Sequence, residues 1–434
     1  MDIAIIGLWH LGEVYSVCLS ELGNKVYGID ENLEVINKLN EGNPPLEEPN
    51  LKKLLKKNLE SKRLNFYSDY ETIKKCNVVW ITIDTPVIKN DKAKFGVIIE
   101  TIKKLLPLIQ NNSLIIISSQ LPVKSSDNII KYIQENRPNL EFQFAYLPEN
   151  LILGEAVESF NNQKFVIVGS YNSEAIEKIR LIFKELKCVI QPMSPVSAEM
   201  VKHARNSFLA TSLSFIYDIA DVCEAIGADV VDVSTALRFD SRIGPKAYLD
   251  ASIGFSGGTL GRDLQYLLQQ GKLSNLKLPV IKAVYLKNQL RKKTILNRLI
   301  KLLNKLDNKK ITFFGITYKS GTSTLRRSLA TELIKETYKS GIDISICDPF
   351  IKEKELQIAL KNIKYTYYKD PYKAVNGSQA IIIITPWNDL KEINFKKLQE
   401  ETKAPHLYFD ARNFFVKQEK EIKSCGFNYL GVGR

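Results

Sequence analysis

Residues 3–12 read Ile3-Ala4-Ile5-Ile6-Gly7-Leu8-Trp9-His10-Leu11-Gly12, and this stretch decides the fold of the chain. The apolar run predicts a buried strand, Gly7 suits a sharp turn, and Gly12 suits close packing of a helix against that strand. A strand, a glycine turn and a helix in this order are typical of a dinucleotide-binding domain. Trp9 stands where the backbone usually approaches the pyrophosphate with no side chain in the way, so the approach must be altered here.

Asp30 extends this interpretation to the end of the second predicted strand. Its carboxylate is expected to accept hydrogen bonds from an adenosine ribose and to repel a 2′-phosphate, which favours NAD over NADP. The alternative is a domain of this fold that has lost its nucleotide. The other candidate cofactor-binding residues at this end of the chain are Gly7, Trp9, His10, Leu11 and Gly12.

Strand and helix signals alternate between residues 1 and 170. Short β-branched runs are interleaved with amphipathic helical patterns, which predicts a parallel sheet covered by helices on both faces. The predicted strands are Ile3–Gly7, Lys25–Asp30, Val78–Ile83, Ser113–Ser118 and Phe165–Gly169.

The middle of the chain, from about Ser197 to Gln270, lacks strand signals and is predicted to be helical. Its longest helix is expected over Ser197–Ile226, with Gly227 placed to end it. A second α/β pattern fills the final third. It consists of strands at Lys310–Gly315, Ile342–Cys347 and Ala380–Thr385 and a helix at Ser328–Lys339.

We therefore predict an α/β fold in which two Rossmann-like parallel-sheet domains are joined by a helical central domain. A chain of 434 residues is long enough to bury more than one core. The expected domains are residues 1–196, 197–298 and 299–434, and Leu299–Lys309, at the start of the last domain, is the expected boundary segment.

The net charge of +13 raises the possibility of a nucleic-acid partner. The lysines, however, alternate with apolar residues at helical spacing, as in Leu51–Lys57 and Leu286–Lys293, which is typical of a solvated helix face. We therefore expect no nucleic acid. A positive surface does favour a phosphate-bearing substrate.

Other features indicate a cytoplasmic protein without a metal site. No apolar run reaches the ~18 residues of a membrane span, and the N-terminus enters a strand-like run without a basic segment of the signal-peptide type. The six cysteines are scattered without a CxxC pair, which favours reduced thiols over disulfides. The three histidines lie far apart and form no ligand pattern.

Several segments match one family in order along the whole chain. They are Glu199–Phe208, Gly254–Asp263, Gly315–Ser328 and Phe409–Asn413. They resemble the UDP-glucose/UDP-N-acetylmannosamine (GDP-mannose) dehydrogenase family. The resemblance implies an NAD-binding first domain, a central dimerisation and catalytic domain, and a last domain that binds a UDP-sugar. It also implies a homodimer formed through the long central helix, C6 oxidation of a UDP-hexose, and a role in polysaccharide precursor supply.

Lys202 and Asn206 are four residues apart, so one helix face presents both. An ammonium and an amide that converge can stabilise negative charge that develops on a substrate oxygen. The resemblance gives Asp263 the role of orienting water and relaying protons, and it matches Glu149 to a family glutamate. Thr259 stands where the family has its nucleophilic cysteine, so the chain is a divergent member that lacks that thiol.

A threonine hydroxyl is a poor nucleophile near neutral pH without an adjacent base. Three catalytic outcomes therefore stay open. The enzyme stops at the 6-aldehyde, completes the second oxidation slowly through a hydrate, or uses a transient oxidation at another ring position. The non-catalytic alternative is a nucleotide-sugar-binding or scaffold protein, in which Thr259 only bonds local backbone.

The remaining site residues also follow from the resemblance. Thr85, Ser119 and Gln120 correspond to the loops that line the cofactor cleft, and Arg242 corresponds to an arginine that crosses the dimer interface. Ser323 and Thr324 replace two acids of the family, which makes that loop more positive. The other predicted substrate-binding residues are Phe255, Gly257, Lys319, Arg326 and Arg412.

Overall fold

The computed structural model describes residues 1–84, 87–88, 92–93, 96–256, 260–303, 309–325 and 328–434. The chain divides by its contacts into two compact units, residues 1–205 and 206–434. The predicted three domains divide the chain differently and stay a prediction.

The first unit is built on a sheet whose strands follow the order β10-β9-β8-β7-β4-β1-β2-β3. Neighbouring strands are parallel except for β8 and β9. The strands are β1 Asp2–Ile6, β2 Lys25–Ile29, β3 Leu64–Tyr67, β4 Val78–Ile81, β7 Ser113–Ile117, β8 Phe142–Tyr146, β9 Phe165–Gly169 and β10 Val189–Met193, with a separate antiparallel pair, β5 Val87–Ile88 and β6 Lys92–Ala93.

Helices cover both faces of this sheet, as a parallel sheet requires. Ile3 and Ile5 of β1 belong to one buried cluster, while Ala4 and Ile6 belong to the cluster on the opposite face. The helices are α1 His10–Glu21, α2 Leu33–Asn40, α3 Leu51–Glu60, α4 Gly96–Leu105, α5 Ser125–Asn136, α6 Ala156–Asn161 and α7 Ser173–Ile182, followed by α8 Pro195–Ile226, which begins in this unit and continues in the next.

The second unit holds a fully parallel sheet of order β13-β12-β11-β14-β15-β16. Its strands are β11 Lys310–Phe314, β12 Asp343–Cys347, β13 Thr366–Tyr368, β14 Ala380–Ile383, β15 Leu407–Asp410 and β16 Asn428–Leu430. Its helices after α8 are α9 Val230–Phe239, α10 Arg262–Leu273, α11 Pro279–Leu303, α12 Leu329–Lys339, α13 Glu353–Ala359, α14 Pro371–Val375, α15 Phe395–Glu401 and α16 Glu419–Ser424.

The predicted fold class is confirmed, and each predicted strand is present with bounds that differ by at most two residues. The helix α11 continues to Leu303 and buries Leu299, so it takes up the first part of the predicted boundary segment Leu299–Lys309, which stays a prediction. Helical spacing of apolar residues persists into this segment, so the helix has no reason to end earlier. None of the described helices combines the length and apolar character that a membrane crossing requires.

Candidate active site

The turn after β1 has the geometry that its glycines predict. Gly7 has φ +92°, and its N–H donates to Ile29 O at 2.9 Å. A Cβ at Gly12 would lie 1.9 Å from Gly7 O, so the start of α1 packs against the turn at a distance that only glycine allows. Thr82 Oγ1 donates to Gly7 O at 2.8 Å and fixes the turn from β4.

Asp30 lies at the carboxyl end of β2 and is half-buried. Its Oδ2 accepts from Leu8 N at 2.8 Å and its Oδ1 from Asn32 N at 2.9 Å. A carboxylate has about four acceptor positions, so these two donors leave capacity for ligand hydroxyls. The carboxylate predicted to bind the ribose is therefore held by two backbone N–H groups at the carboxyl end of β2.

Trp9 precedes α1 in extended backbone and is 38% exposed. His10, the next predicted cofactor residue, is buried and its Nε2 lies 2.7 Å from Glu48 Oε1. Glu48 also accepts from Gly154 N at 2.7 Å and from Ala156 N at 3.1 Å, so it ties the start of α1 to the loop before α6. Glu48 was not predicted from the sequence, because its partners are distant along the chain. Leu11 is half-buried and packs on the core.

The first turns of α8 hold the loop between β7 and α5. Glu199 is fully buried and accepts from Lys124 N at 2.6 Å and from Ser126 N and Oγ at 2.7 Å each. Burial raises the pKa of Glu199, although these hydrogen bonds oppose the shift. His203 Nε2 lies 3.1 Å from Leu121 O and adds a second tie.

This loop carries two of the predicted cofactor residues. Gln120 is half-buried, and Ser119 is buried. Within the described residues, Ser119 Oγ has no hydrogen-bond partner. A buried hydroxyl without a protein partner is costly unless a ligand or water satisfies it.

Lys202 and Glu149 form an ion pair in the first unit. Lys202 Nζ also donates to Glu149 O at 3.3 Å, and Arg205 Nη2 donates to the same carbonyl at 3.1 Å. Burial opposes ionisation of Glu149, but the ammonium of Lys202, assisted by His10 and Arg205, lowers its pKa. The carboxylate is therefore held ionised beside a buried ammonium.

Asn206 and Asp263 form the corresponding pair in the second unit. Asn206 Nδ2 donates to Asp263 Oδ2 at 2.5 Å, and Asp263 is completely buried in the first turn of α10. Asn206 follows Lys202 by four residues along α8. The four described catalytic candidates therefore form two bonded pairs, one within each unit.

Arg262, which sequence analysis missed, precedes Asp263 and is only 7% exposed. In the part of the chain that is described, its Nε and Nη1 have no hydrogen-bond partner. Buried guanidinium nitrogens without a hydrogen-bond partner are unfavourable unless a ligand or water satisfies them. The glycine-rich stretch that precedes Arg262 in the sequence could have indicated this residue, because an arginine next to such a stretch is well placed to bind an anion.

The loop after β11 repeats the left-handed turn seen after β1. Gly315 has φ +68°, and Ile316 N and Thr317 N donate to Asp348 Oδ2 at 2.7 Å and 3.1 Å. Ser328 Oγ caps α12 by accepting from Ala330 N at 3.2 Å.

The other described substrate candidates differ in their surroundings. Lys319 and Arg412 are half-buried, and Arg412 Nε donates to Ile384 O at 3.1 Å. Arg242 is exposed and pairs with Asp240 at 2.5 Å, while Phe255 is buried. Thr85, Gly257, Thr259 and Arg326 lie outside the described residues.

Metal ligands are not grouped in the described part of the chain: no three His, Cys, Asp or Glu side chains there could hold an ion together. The six cysteines are free thiols, and four of them are buried.

Family models match most of the chain. They are described as the UDP-glucose/GDP-mannose dehydrogenase family NAD binding domain over residues 1–187, the central domain over 196–290, and the UDP binding domain over 312–417.

Full-length relatives are similar in sequence. The chain is 34% identical to UDP-glucose 6-dehydrogenase of Rickettsia bellii, with 100% of this chain and 99% of that protein covered. It is 30% identical to UDP-glucose 6-dehydrogenase TuaD of Bacillus subtilis, with 100% and 93% covered.

Solved structures share the fold. A UDP-glucose dehydrogenase from Pyrobaculum islandicum superposes with a TM-score of 0.88 at 24% identity, covering 100% of this chain and 97% of that one. A UDP-D-ManNAc dehydrogenase from Pyrococcus horikoshii gives 0.87 at 23% identity, covering 100% and 99%.

Proposed function

This chain belongs to the UDP-glucose/GDP-mannose dehydrogenase family, and we propose that it oxidises the C6 hydroxyl of a UDP-hexose with NAD as cofactor. The observation that carries the proposal is the pairing of its catalytic candidates, Lys202 with Glu149 and Asn206 with Asp263. They supply an ammonium, an amide and two carboxylates, of which that of Asp263 is completely buried, and an alcohol oxidation can use these groups.

The described residues fit NAD. Gly7 supplies the left-handed turn, Gly12 permits the close start of α1, and Asp30 retains acceptor capacity for ribose hydroxyls. These residues, with Ser119 and the backbone around Trp9, would hold the cofactor. When bound, NAD supplies the acceptor for the hydride that leaves C6.

The chain's own residues handle the proton and the charge. We assign to Lys202 and Asn206 the stabilisation of the oxyanion that develops as the hydroxyl is deprotonated. Asp263, bonded to Asn206, orients the water that takes the proton. Glu149 holds the Lys202 ammonium through their ion pair, because the lowered pKa of Glu149 keeps its carboxylate negative at neutral pH.

Arg262 supports an anionic substrate. Its buried guanidinium has nitrogens without a partner in the described part of the chain, and a diphosphate or carboxylate oxygen would satisfy them. With Lys319, Arg326 and Arg412 it gives the second unit a set of cations for a UDP-sugar.

The number of oxidations depends on Thr259. A hydroxyl in place of a thiol favours release of the 6-aldehyde after one hydride transfer, because no thiohemiacetal forms to donate the second. The test is to incubate the protein with NAD and a panel of UDP-hexoses and to count NADH formed per sugar. One NADH per sugar is expected, and Thr259→Cys should raise the count to two. Two from the unaltered protein would refute the early stop, and none with any sugar would indicate a binding protein.

We also propose a homodimer formed through α8. Phe208, Phe215, Val222 and Ile226 are exposed along α8, with Ile226 73% exposed. Their spacing of seven, seven and four residues places them on one stripe of the helix, which is the pattern of a packing face. Light scattering after gel filtration should give twice the 49.4 kDa chain mass.

The remaining expectations follow from the same family role. The domains 1–196, 197–298 and 299–434 would bind NAD, form the dimer with the catalytic helix, and bind UDP-sugar, respectively. The product would serve polysaccharide precursor supply in the cytoplasm. Truncation at these boundaries, followed by binding assays for NAD and UDP, tests the division.

A further inference from the structure

Asn288 of α11 makes a paired contact with the backbone of Phe255. Its Oδ1 accepts from Phe255 N and its Nδ2 donates to Phe255 O, both at 2.9 Å. Asn288 is only 2% exposed, so water does not compete for these bonds. One side chain therefore satisfies both polar groups of one residue, 33 positions away in sequence.

A second residue of α11, three positions after Asn288, holds the same segment three residues before Phe255. Arg291 Nε donates to Ser252 O at 3.1 Å, and Tyr217 OH lies 3.0 Å from Ser252 Oγ. Residues 288 and 291 are three apart on the helix, as are residues 252 and 255 in the segment. The backbone of the segment is thus held by α11 at two places, Ser252 and Phe255.

The held segment leads to the reacting groups. Gly254, at φ +128°, turns the chain immediately before Phe255, and the same stretch continues to Asp263, which Asn206 holds. Displacement of Phe255 would move the start of this stretch, and misplacement of about 1 Å near reacting groups can cost about 100-fold in rate.

We propose that Asn288 is a positioning residue for the dehydrogenase reaction: by pairing with Phe255 it fixes the backbone from which the glycine-rich loop starts. The inference rests on the proposed function for its kinetic consequence. The paired contact between Asn288 and the backbone of Phe255, here called the clamp, can be tested without turnover, because it is a contact within the protein.

The kinetic test compares Asn288→Ala with the unaltered protein. We expect kcat to fall about 10- to 100-fold. KM for NAD should stay unchanged, because the NAD-binding residues belong to the first unit. A fall in kcat of less than about twofold would overturn the proposal. So would a rise in KM for NAD as large as the fall in kcat.

The variant Asn288→Asp distinguishes a positioning role of Asn288 from a general loss of protein stability. A protonated carboxyl donates to Phe255 O and accepts from Phe255 N as the amide does, whereas an ionised one only accepts. The nearby ionisable groups are Lys287 and Arg291 on α11 and Tyr217 and Asp221 on α8. The activity of Asn288→Asp, divided by that of the unaltered protein at the same pH, should therefore rise as the pH falls. The same activity ratio for Asn288→Ala should not change with pH. A flat ratio for both variants contradicts the clamp.

Asn58→Asp is the matched control. Asn58 is also fully buried, and its Nδ2 donates to Leu54 O at 2.9 Å, but it lies on α3 in the first unit. This variant should lose stability without the change in kcat.

Amide hydrogen exchange of the peptide spanning residues 251–256 decides the clamp without any activity. Exchange should accelerate in Asn288→Ala and not in Asn58→Asp. If the unaltered protein turns over no UDP-sugar, the proposed function fails while this measurement still decides the contact. Unchanged exchange in Asn288→Ala would overturn the inference.

Discussion

Asp30 and Asp348 occupy the same place in the two sheets. Each ends the strand beside the first strand of its sheet and accepts the backbone N–H that follows a left-handed glycine, at 2.8 Å from Leu8 N and 2.7 Å from Ile316 N. They differ in what else they do. Asp348 is completely buried and also accepts from Trp387 Nε1 at 3.3 Å, whereas Asp30 is half-buried.

This difference in burial predicts that the same substitution at the two positions affects different properties, stability at Asp348 and NAD binding at Asp30. Asp348→Asn should lower the free energy of unfolding by about 2 kcal/mol, because an amide NH₂ cannot accept from the buried N–H groups. Asp30→Asn should cost less stability and instead raise KM for NAD. Urea unfolding and initial rates measure the two effects. Equal destabilisation with unchanged KM would contradict the assignment of Asp30.

Asp30→Ala should also relax the preference against NADP, because the carboxylate that repels a 2′-phosphate is removed. The ratio of kcat/KM for NADP to that for NAD should rise about tenfold, which corresponds to about 1.4 kcal/mol. Asp69→Ala, at an exposed position in the same unit, serves as control and should leave the ratio unchanged.

Gly12→Ala should unfold or strongly destabilise the first unit. The new Cβ would lie 1.9 Å from Gly7 O and 2.8 Å from Thr82 Oγ1, so α1 would have to move away from the turn. Gly96→Ala provides the control, since its Cβ would meet nothing within 4 Å and alanine favours the helix. Thermal melting compares the two, and similar midpoints would show that the turn is not tightly packed.

The ion pair of Lys202 and Glu149 should contribute stability that depends on pH. The pKa of Glu149 is lowered in the folded protein, so the contribution is present above its ordinary value of 4.5 and is lost as the pH falls through the folded value. The unfolding free energies of the unaltered protein and Glu149→Gln should differ at pH 7, and the difference should shrink as the pH falls below 4.5 through the lowered folded pKa. A constant difference across this range would show that the pair is not the cause.

Arg262→Met should raise the melting temperature of the ligand-free protein while it weakens UDP-sugar binding. The substitution removes a buried cation that has nitrogens without a partner in the described part of the chain. Arg180→Met, which breaks a partly exposed surface pair with Glu177, should change neither quantity. Lower stability together with unchanged affinity would place Arg262 among structural residues.

The sequence was sufficient to predict strands that are apolar throughout and lie inside each sheet. Ile3 to Ile6 and Ala380 to Ile383 are examples, because burial on both faces leaves a continuous apolar run. Six strands of the two sheets were missed, namely the edge strands β3, β10, β13 and β16 and the interior strands β8 and β15. Two edge strands, β3 and β13, show one physical reason. Leu64–Tyr67 alternates buried and half-buried residues, and Thr366–Tyr368 is mostly polar and aromatic, so neither has that run.

The candidate site was predictable where one helix or one turn contains the pattern, as with Lys202 and Asn206. Glu48, Arg262 and Asn288 could not be found in this way. Glu48 bonds Gly154, more than a hundred positions away, and Asn288 bonds Phe255 across the fold of the second unit. Such contacts depend on which segments the sheet brings together, and no local spacing encodes that.

Trp9 gives the molecule a built-in optical reporter. Of the three tryptophans, Trp80 and Trp387 are buried, so Trp9 is the indole that senses solvent at the glycine turn. Docking of a dinucleotide there would change the emission of this fluorophore, and a titration could follow occupancy without any attached dye.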